Sequence, residues 1–218
     1  RELRRITGVC AAALAALLWA ATAGAQEASC LDCHGKREAV VKALEGLKKT
    51  AMPERIDALV VKPDSDKSVH HGVADCTTCH PDAEEYPHPE EMAMEETCTS
   101  CHEEALDDVN ESVHRDPEGG EQTRATCWDC HGGHDIRRKA DAKSRVHPQN
   151  VINTCLQCHD KREYLKGVHG LGLLRSGLDV AATCVSCHGS HGILPTREAE
   201  SRTARRNISA TCGKCHSH

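Results

Sequence analysis

Fourteen of the fifteen cysteines fall into seven copies of one pentapeptide, C-x-x-C-H. Two thiols at that spacing can reach the two vinyl groups of one porphyrin, and the adjacent imidazole then stands over the iron as its proximal ligand. The copies are Cys30/Cys33/His34, Cys76/Cys79/His80, Cys98/Cys101/His102, Cys127/Cys130/His131, Cys155/Cys158/His159, Cys184/Cys187/His188 and Cys212/Cys215/His216. They predict seven covalently attached c-type haems. Structural zinc explains them less well, since zinc recruits pairs of C-x-x-C, seven leaves one unmatched, and zinc does not ask for a histidine after every second cysteine. A thioredoxin-like centre needs one such pair at a strand-to-helix turn. A disulfide scaffold has no use for the repeated histidine.

Sixteen histidines less seven proximal ones leave nine. Seven sixth ligands are needed if every iron is bis-histidine. Short Val-His phrases supply His70, His114 and His169, and the phrase His-Gly-x-His supplies His134 and His191. His88 and His147 complete the set, with His71 and His218 in surplus and His71 a direct substitute for His70. A histidine three residues beyond the proximal one cannot easily reach the far face of its own haem, so His134 and His191 are expected to serve neighbouring haems. Gly132 and Gly189 suit a sharp turn beside a porphyrin, because glycine tolerates positive φ. Methionine would raise the potential of an iron it bound, but Met52, Met92 and Met94 occupy no repeated position and read as packing or surface residues.

The elements that hold these residues are sparse. Arg1, Arg4 and Arg5, an apolar run from Val9 to about Ala23, and Ala23-Gly24-Ala25 describe a secretory signal peptide over residues 1–25. That segment holds Cys10, the one cysteine outside the motifs, and the run is shorter than the ~20 residues that cross a bilayer. The remaining 193 residues contain no Phe, one Trp and two Tyr, too few aromatics for an ordinary core of that size. At about 28 residues per haem, the polypeptide is expected to wrap the porphyrins as a mainly α, loop-rich fold with little or no β-sheet and a haem core. Folding should then depend on cofactor attachment.

Internal repetition sets the organisation. Cys98, Cys155 and Cys212 are 57 residues apart, as are Cys127 and Cys184, and the stretch from Cys130 aligns without a gap on that from Cys187. The reading is an N-terminal haem with a helical pair (26–67), then two-haem units at 68–110, 111–166 and 167–218. In the first segment Val40, Ala43, Leu44 and Leu47 recur at helical spacing, Pro53 interrupts, and Ile56, Leu59 and Val60 resume a second short helix.

Charge is uneven. Residues 26–136 hold 10 Lys/Arg against 26 Asp/Glu, and residues 137–218 hold 14 against 6. The acidic stretch from Asp82 to Asp108 reads first as a solvated loop. The asymmetry could also orient redox partners or head-to-tail self-association. With export expected, the basic half does not read as a nucleic-acid surface.

The phrases Ser-Val-His (Ser112 to His114), Cys-His-Gly-x-His-x-Ile (Cys130 to Ile136 and Cys187 to Ile193) and Asn-Ile-x-Ala-Thr-Cys-Gly-Lys-Cys-His (Asn207 to His216) resemble the bacterial multihaem c-type cytochromes with doubled C-x-x-C-H motifs, related to the class III tetrahaem type. The resemblance covers residues 68–218. It implies low-spin, low-potential haems that pass single electrons in the periplasm or at the cell surface. The expectation is an electron carrier, not an enzyme, between redox proteins such as a membrane quinol-oxidising complex and a terminal reductase or acceptor. Two alternatives stay open: a reductase with one open iron acting on nitrite, hydroxylamine or a sulfur oxyanion, and a subunit of an extracellular cytochrome filament.

Overall fold

The computed structural model describes residues 30–49, 51–89, 94–115, 124–160 and 162–216. The signal-peptide reading, Cys10, Met92 and His218 lie outside them. The chain divides into two compact units, residues 1–89 and 90–218. The boundary falls between the two motifs of the 68–110 segment.

Among the described residues the fold is helices and loops, without strand or sheet. The first unit holds α1 (Arg37–Gly46), α2 (Pro53–Ala58), two 3-10 turns (Pro63–Lys67 and Pro81–Ala83) and α3 (Cys76–Cys79). Residues 30–34, the first motif, are also helical. Val40 on α1 is the buried apolar anchor of this unit. The expected helical pair is present, with one shift in its bounds. Pro53 sits in the first turn of α2, where its missing N–H costs nothing. The helix stops at Ala58, and the Val61 N–H donates to the His34 carbonyl at 2.8 Å.

The second unit holds α4 (Met94–Thr99), α5 (Glu103–Asn110), α6 (Cys127–His131), α7 (Val151–Cys155), α8 (Arg162–Lys166), α9 (Val168–Ser176), α10 (Cys184–His188) and α11 (Ile208–Cys212). Its apolar cluster is small: Val151, Ile152 and Leu173, with Cys155, Leu156, Tyr164, Ala181, Cys184 and Val185 packed on it. The Tyr164 hydroxyl donates to the Ala182 carbonyl at 2.8 Å. Two motif cysteines, Cys155 and Cys184, are thus part of what passes for a core.

The 57-residue repeat is also a repeat of hydrogen bonds. Asn150 Nδ2 donates to the carbonyls of Ala142 and Ser144 at 2.7 and 2.8 Å, and Asn207 Nδ2 donates to those of Ala199 and Ser201 at 2.8 and 2.8 Å. Thr154 Oγ1 donates to the Arg145 carbonyl at 2.8 Å, and Thr211 Oγ1 to the Arg202 carbonyl at 2.7 Å. Buried Ser144 and Ser201 likewise reach the carbonyls of Arg137 and Leu194. Each loop satisfies its own polar backbone through three side chains, which substitutes for the sheet or long helix that a thin wrapper cannot build.

Candidate haem-binding site

Each motif lies on a short helix or closes one, and local capping fixes where several of these turns start. Asp75 accepts from the Thr78 N–H at 2.7 Å at the head of α3. Thr126 pairs with Asp129 at α6, and Thr183 with Ser186 at α10, as reciprocal capping boxes. The helical turn then brings the two cysteines and the histidine of C-x-x-C-H together. The hydrogen bonds from Thr78 hold the Asp75 carboxyl below its ordinary range, despite partial opposition from burial. After α6 and α10 the chain turns at Gly132 (φ 83) and Gly189 (φ 92).

Four of the proximal histidines stand opposite a second imidazole. Ring centroids are 6.2 Å apart for His34–His88, and 6.0 Å for His114–His159, His131–His191 and His169–His216. An imidazole nitrogen bonds a transition metal at about 2.0 Å and lies roughly 1.2 Å from its ring centre, so two imidazoles sharing one ion put their centroids about 6.3 Å apart. The pairs are spaced to hold one iron each.

Ring protonation fits the same purpose at the first pair. The His34 Nδ1 lies 2.8 Å from the Leu59 carbonyl and the His88 Nδ1 lies 2.7 Å from the Glu85 carbonyl. A carbonyl can only accept, so Nδ1 carries the proton in both rings and Nε2 keeps the lone pair a metal needs. In the second unit, burial first and then His159 push the His114 imidazole below its ordinary pKa. Burial first, then His191 and His102, do the same at His131. Both shifts favour the neutral ring, the form that ligates.

His147 differs. Its Nδ1 accepts the Gln149 N–H at 3.3 Å, which places the proton of the neutral ring on Nε2. Its position in the repeat is occupied by buried Ala204. His188, the repeat mate of His131, is exposed, and among the described residues no imidazole is seen stacked or tilted across from it. His70 follows the first 3-10 turn, half-buried, its N–H donating to Ser68 Oγ at 3.3 Å, while His71 is exposed. His80 closes α3, His102 heads α5, and His134 lies exposed in the turn after Gly133.

Of the fourteen motif cysteines, eight are half-buried and six exposed. Cys33 and Cys101 are both exposed. Each is the later thiol of its pair, and its half-buried partner, Cys30 or Cys98, is the one turned toward the polypeptide. Cys33 lies on the helical turn of residues 30–34, between the exposed Asp32 and the half-buried His34. Cys101 lies beyond the end of α4, in the turn closed by the His102 N–H donating to the Cys98 carbonyl at 3.1 Å, and its sulfur is 3.8 Å from Ser100 Oγ. Cys127, Cys158, Cys212 and Cys215 are exposed as well. The chain therefore covers one side of these attachment points and leaves the other open to a porphyrin edge.

In the second unit the thiols of successive motifs are neighbours. Cys155 shares a hydrogen bond with Cys184, which raises the Cys155 thiol and, despite burial, lowers Cys184 to about 7. Burial pushes Cys130 up, helped by Asp129 and Cys127 and also by Cys158 of the next motif. Burial likewise raises Cys187, with Cys212 and Cys215 of the last motif adding to it. Porphyrins joined to these thiols would be anchored edge beside edge, in the order of the chain. Apolar side chains left open, including Val168 next to His169 at 79% and Val180 at 89% exposure, are surface that a porphyrin face can cover.

No curated protein and no solved structure matches the chain. Residues 69–160 match the family model described as Cytochrome c3. That segment contains four complete C-x-x-C-H motifs, and its similarity to Cytochrome c3 supports a multihaem c-type cytochrome.

Proposed function

We propose that this protein carries seven covalently attached haems c and conducts electrons between redox partners in the periplasm or at the cell surface. The observation that carries the reading is the set of four imidazole pairs at 6.0–6.2 Å. In this reading Cys30/Cys33, Cys76/Cys79, Cys98/Cys101, Cys127/Cys130, Cys155/Cys158, Cys184/Cys187 and Cys212/Cys215 hold the porphyrins, and His34, His80, His102, His131, His159, His188 and His216 are the proximal ligands. His88, His114, His169 and His191 are sixth ligands, and His70 and His134 remain proposed for the same role. Haem iron supplies a one-electron ferric/ferrous couple, with axial ligation among the levers on its potential. The chain fixes the ligands in advance through the Nδ1 bonds of His34 and His88, so little rearrangement is required between oxidation states. It also anchors the thioethers of successive haems side by side, which keeps tunnelling distances short. The opposite charges of residues 26–136 and 137–218 suit docking of two different partners.

A second reading, in which one haem binds an external molecule, is favoured by the contrast between His131, which faces His191, and its repeat mate His188. Pyridine haemochrome quantitation with low-temperature EPR of the oxidised protein tests both. Seven haems with low-spin signals alone support the conduit, and a high-spin signal equal to one haem per chain favours the second reading. Fewer than seven haems refutes the binding assignment.

A further inference from the structure

Resting on the haem-binding reading above, we infer that ligation crosses the repeat: His191, in the third two-haem unit, is the sixth ligand of the haem on Cys127, Cys130 and His131 in the second. His114 and His169 instead serve the later haem of their own units, on His159 and His216.

Two kinds of pairing are present, and each has its own reach along the chain. His114 faces His159 and His169 faces His216, in each case from the opening Val-His phrase of a unit to that unit's closing motif. His191 faces His131, sixty residues back and in the preceding unit. The turn makes this reach available. Gly189 (φ 92) lies between His188 and His191, so the proximal ligand of one haem and the sixth ligand of another leave the backbone three residues apart in different directions.

The crossing is fastened by backbone as well as by imidazole. The Val113 N–H donates to the Ile193 carbonyl at 2.9 Å, and the Ile193 N–H donates to the hydroxyl of buried Ser112 at 3.3 Å. The Ser-Val-His phrase that opens the second unit is thereby tied to the residues just beyond His191. Gly192 packs on the same side, where an added Cβ would lie 3.5 Å from the Asp108 carbonyl oxygen. The two units are therefore not separable modules. The peptide between His188 and His191 also gives a short covalent bridge from the first haem of the third unit to the first haem of the second.

The test uses the full chain in two backgrounds. With all seven haems present, His191→Ala should turn one haem in seven high-spin by EPR. In a six-haem background made by Cys127→Ala with Cys130→Ala, adding His191→Ala should create no new high-spin haem, because its haem is already missing. A new high-spin haem in that background would overturn the inference, as would an unchanged spectrum in the seven-haem variant. If the six-haem chain does not accumulate, NMR of the intact protein decides. A nuclear Overhauser contact from the His191 ring to the porphyrin joined to Cys127 supports the assignment, and a contact to any other porphyrin refutes it. Mass spectrometry of the same samples counts haems, so a count below seven in the parent separates failure of the binding reading from failure of this register.

Discussion

Gly189→Ala probes the turn that aims His191. The backbone there has φ 92 and ψ −172, a region that residues with a Cβ enter at about 1–3 kcal/mol. Alanine recovers about 0.4–1 kcal/mol by stiffening the unfolded chain. Sterics add little, since the new Cβ would meet Arg202 Nε at 3.5 Å, an ordinary contact. The net loss is then on the order of 1–2 kcal/mol. Gly132→Ala should cost more, because φ is again positive and the Cβ would lie 2.9 Å from Asp135 Oδ1 and 3.3 Å from Arg145 Cδ. Gly133→Ala is the control: φ is not positive and no atom lies within 4 Å of the added carbon. In urea unfolding followed by the haem spectrum, with a slope of about 2 kcal/mol per molar, the Gly189→Ala midpoint should fall by roughly 0.5–1 M. The Gly133→Ala midpoint should hold or rise slightly. If the turn relaxes instead, His191 leaves His131 and one haem in seven becomes high-spin. A Gly189→Ala protein that matches Gly133→Ala in both midpoint and spectrum would refute the claim that this turn aims His191.

Other outcomes are expected from separate features. Gly170→Ala should be strongly destabilising, because the Cβ would be driven to 2.2 Å from the Tyr164 carbonyl where α8 meets α9; a wild-type urea midpoint would show that the two helices do not pack this closely. Ile152→Ala, at a fully buried side chain, should lower stability by about 2–5 kcal/mol in the same assay. His114→Met should raise the potential of one haem in seven in a spectroelectrochemical titration, and an unchanged set of potentials would remove His114 from the ligands. Cyanide added to the oxidised protein should perturb the haem on His188 before the haem on His131, as resolved by NMR with and without Cys184→Ala/Cys187→Ala; the reverse order would count against the asymmetry of the repeat. Asp75 caps α3 as a carboxylate of lowered pKa, so its contribution is present above the ordinary value of 3.8 and fades as pH falls through the lower folded value. Asp75→Ala should cost about 0.5–2 kcal/mol at neutral pH by urea unfolding and less in acid, whereas a pH-independent loss would mean that the charge plays no part.

Much of this molecule is local. C-x-x-C-H is a one-turn geometry, so its seven positions and the histidine that follows each could be read from neighbouring letters. How far each thiol is covered was not local: Cys33 and Cys101 are open where Cys30 and Cys98 are half-buried, because cover comes from whatever chain packs beside the turn. The helical pair followed from apolar spacing, and the absence of Phe pointed to an interior that side chains alone would not fill. The 57-residue spacing foretold a repeat, and it returned as two copies of one Asn, Ser and Thr hydrogen-bond network. Helix α9 was harder to see, since Gly170 and Gly172 in VHGLGLLRS argue against a helix by propensity. Its glycine is needed because Tyr164 comes within backbone contact, a demand that no local rule expresses.

Sequence alone pointed to the residues proposed to attach haem, and to further histidines proposed to face them. It could not assign partners, because a sixth ligand is chosen by which imidazole arrives across the porphyrin, tens of residues away along the chain. Only the tertiary structure set His88 against His34, His114 against His159, His169 against His216 and His191 against His131. It also separated His131 from His188, two positions that the repeat makes equivalent by letter, because a facing ring is a property of the neighbour and not of the motif.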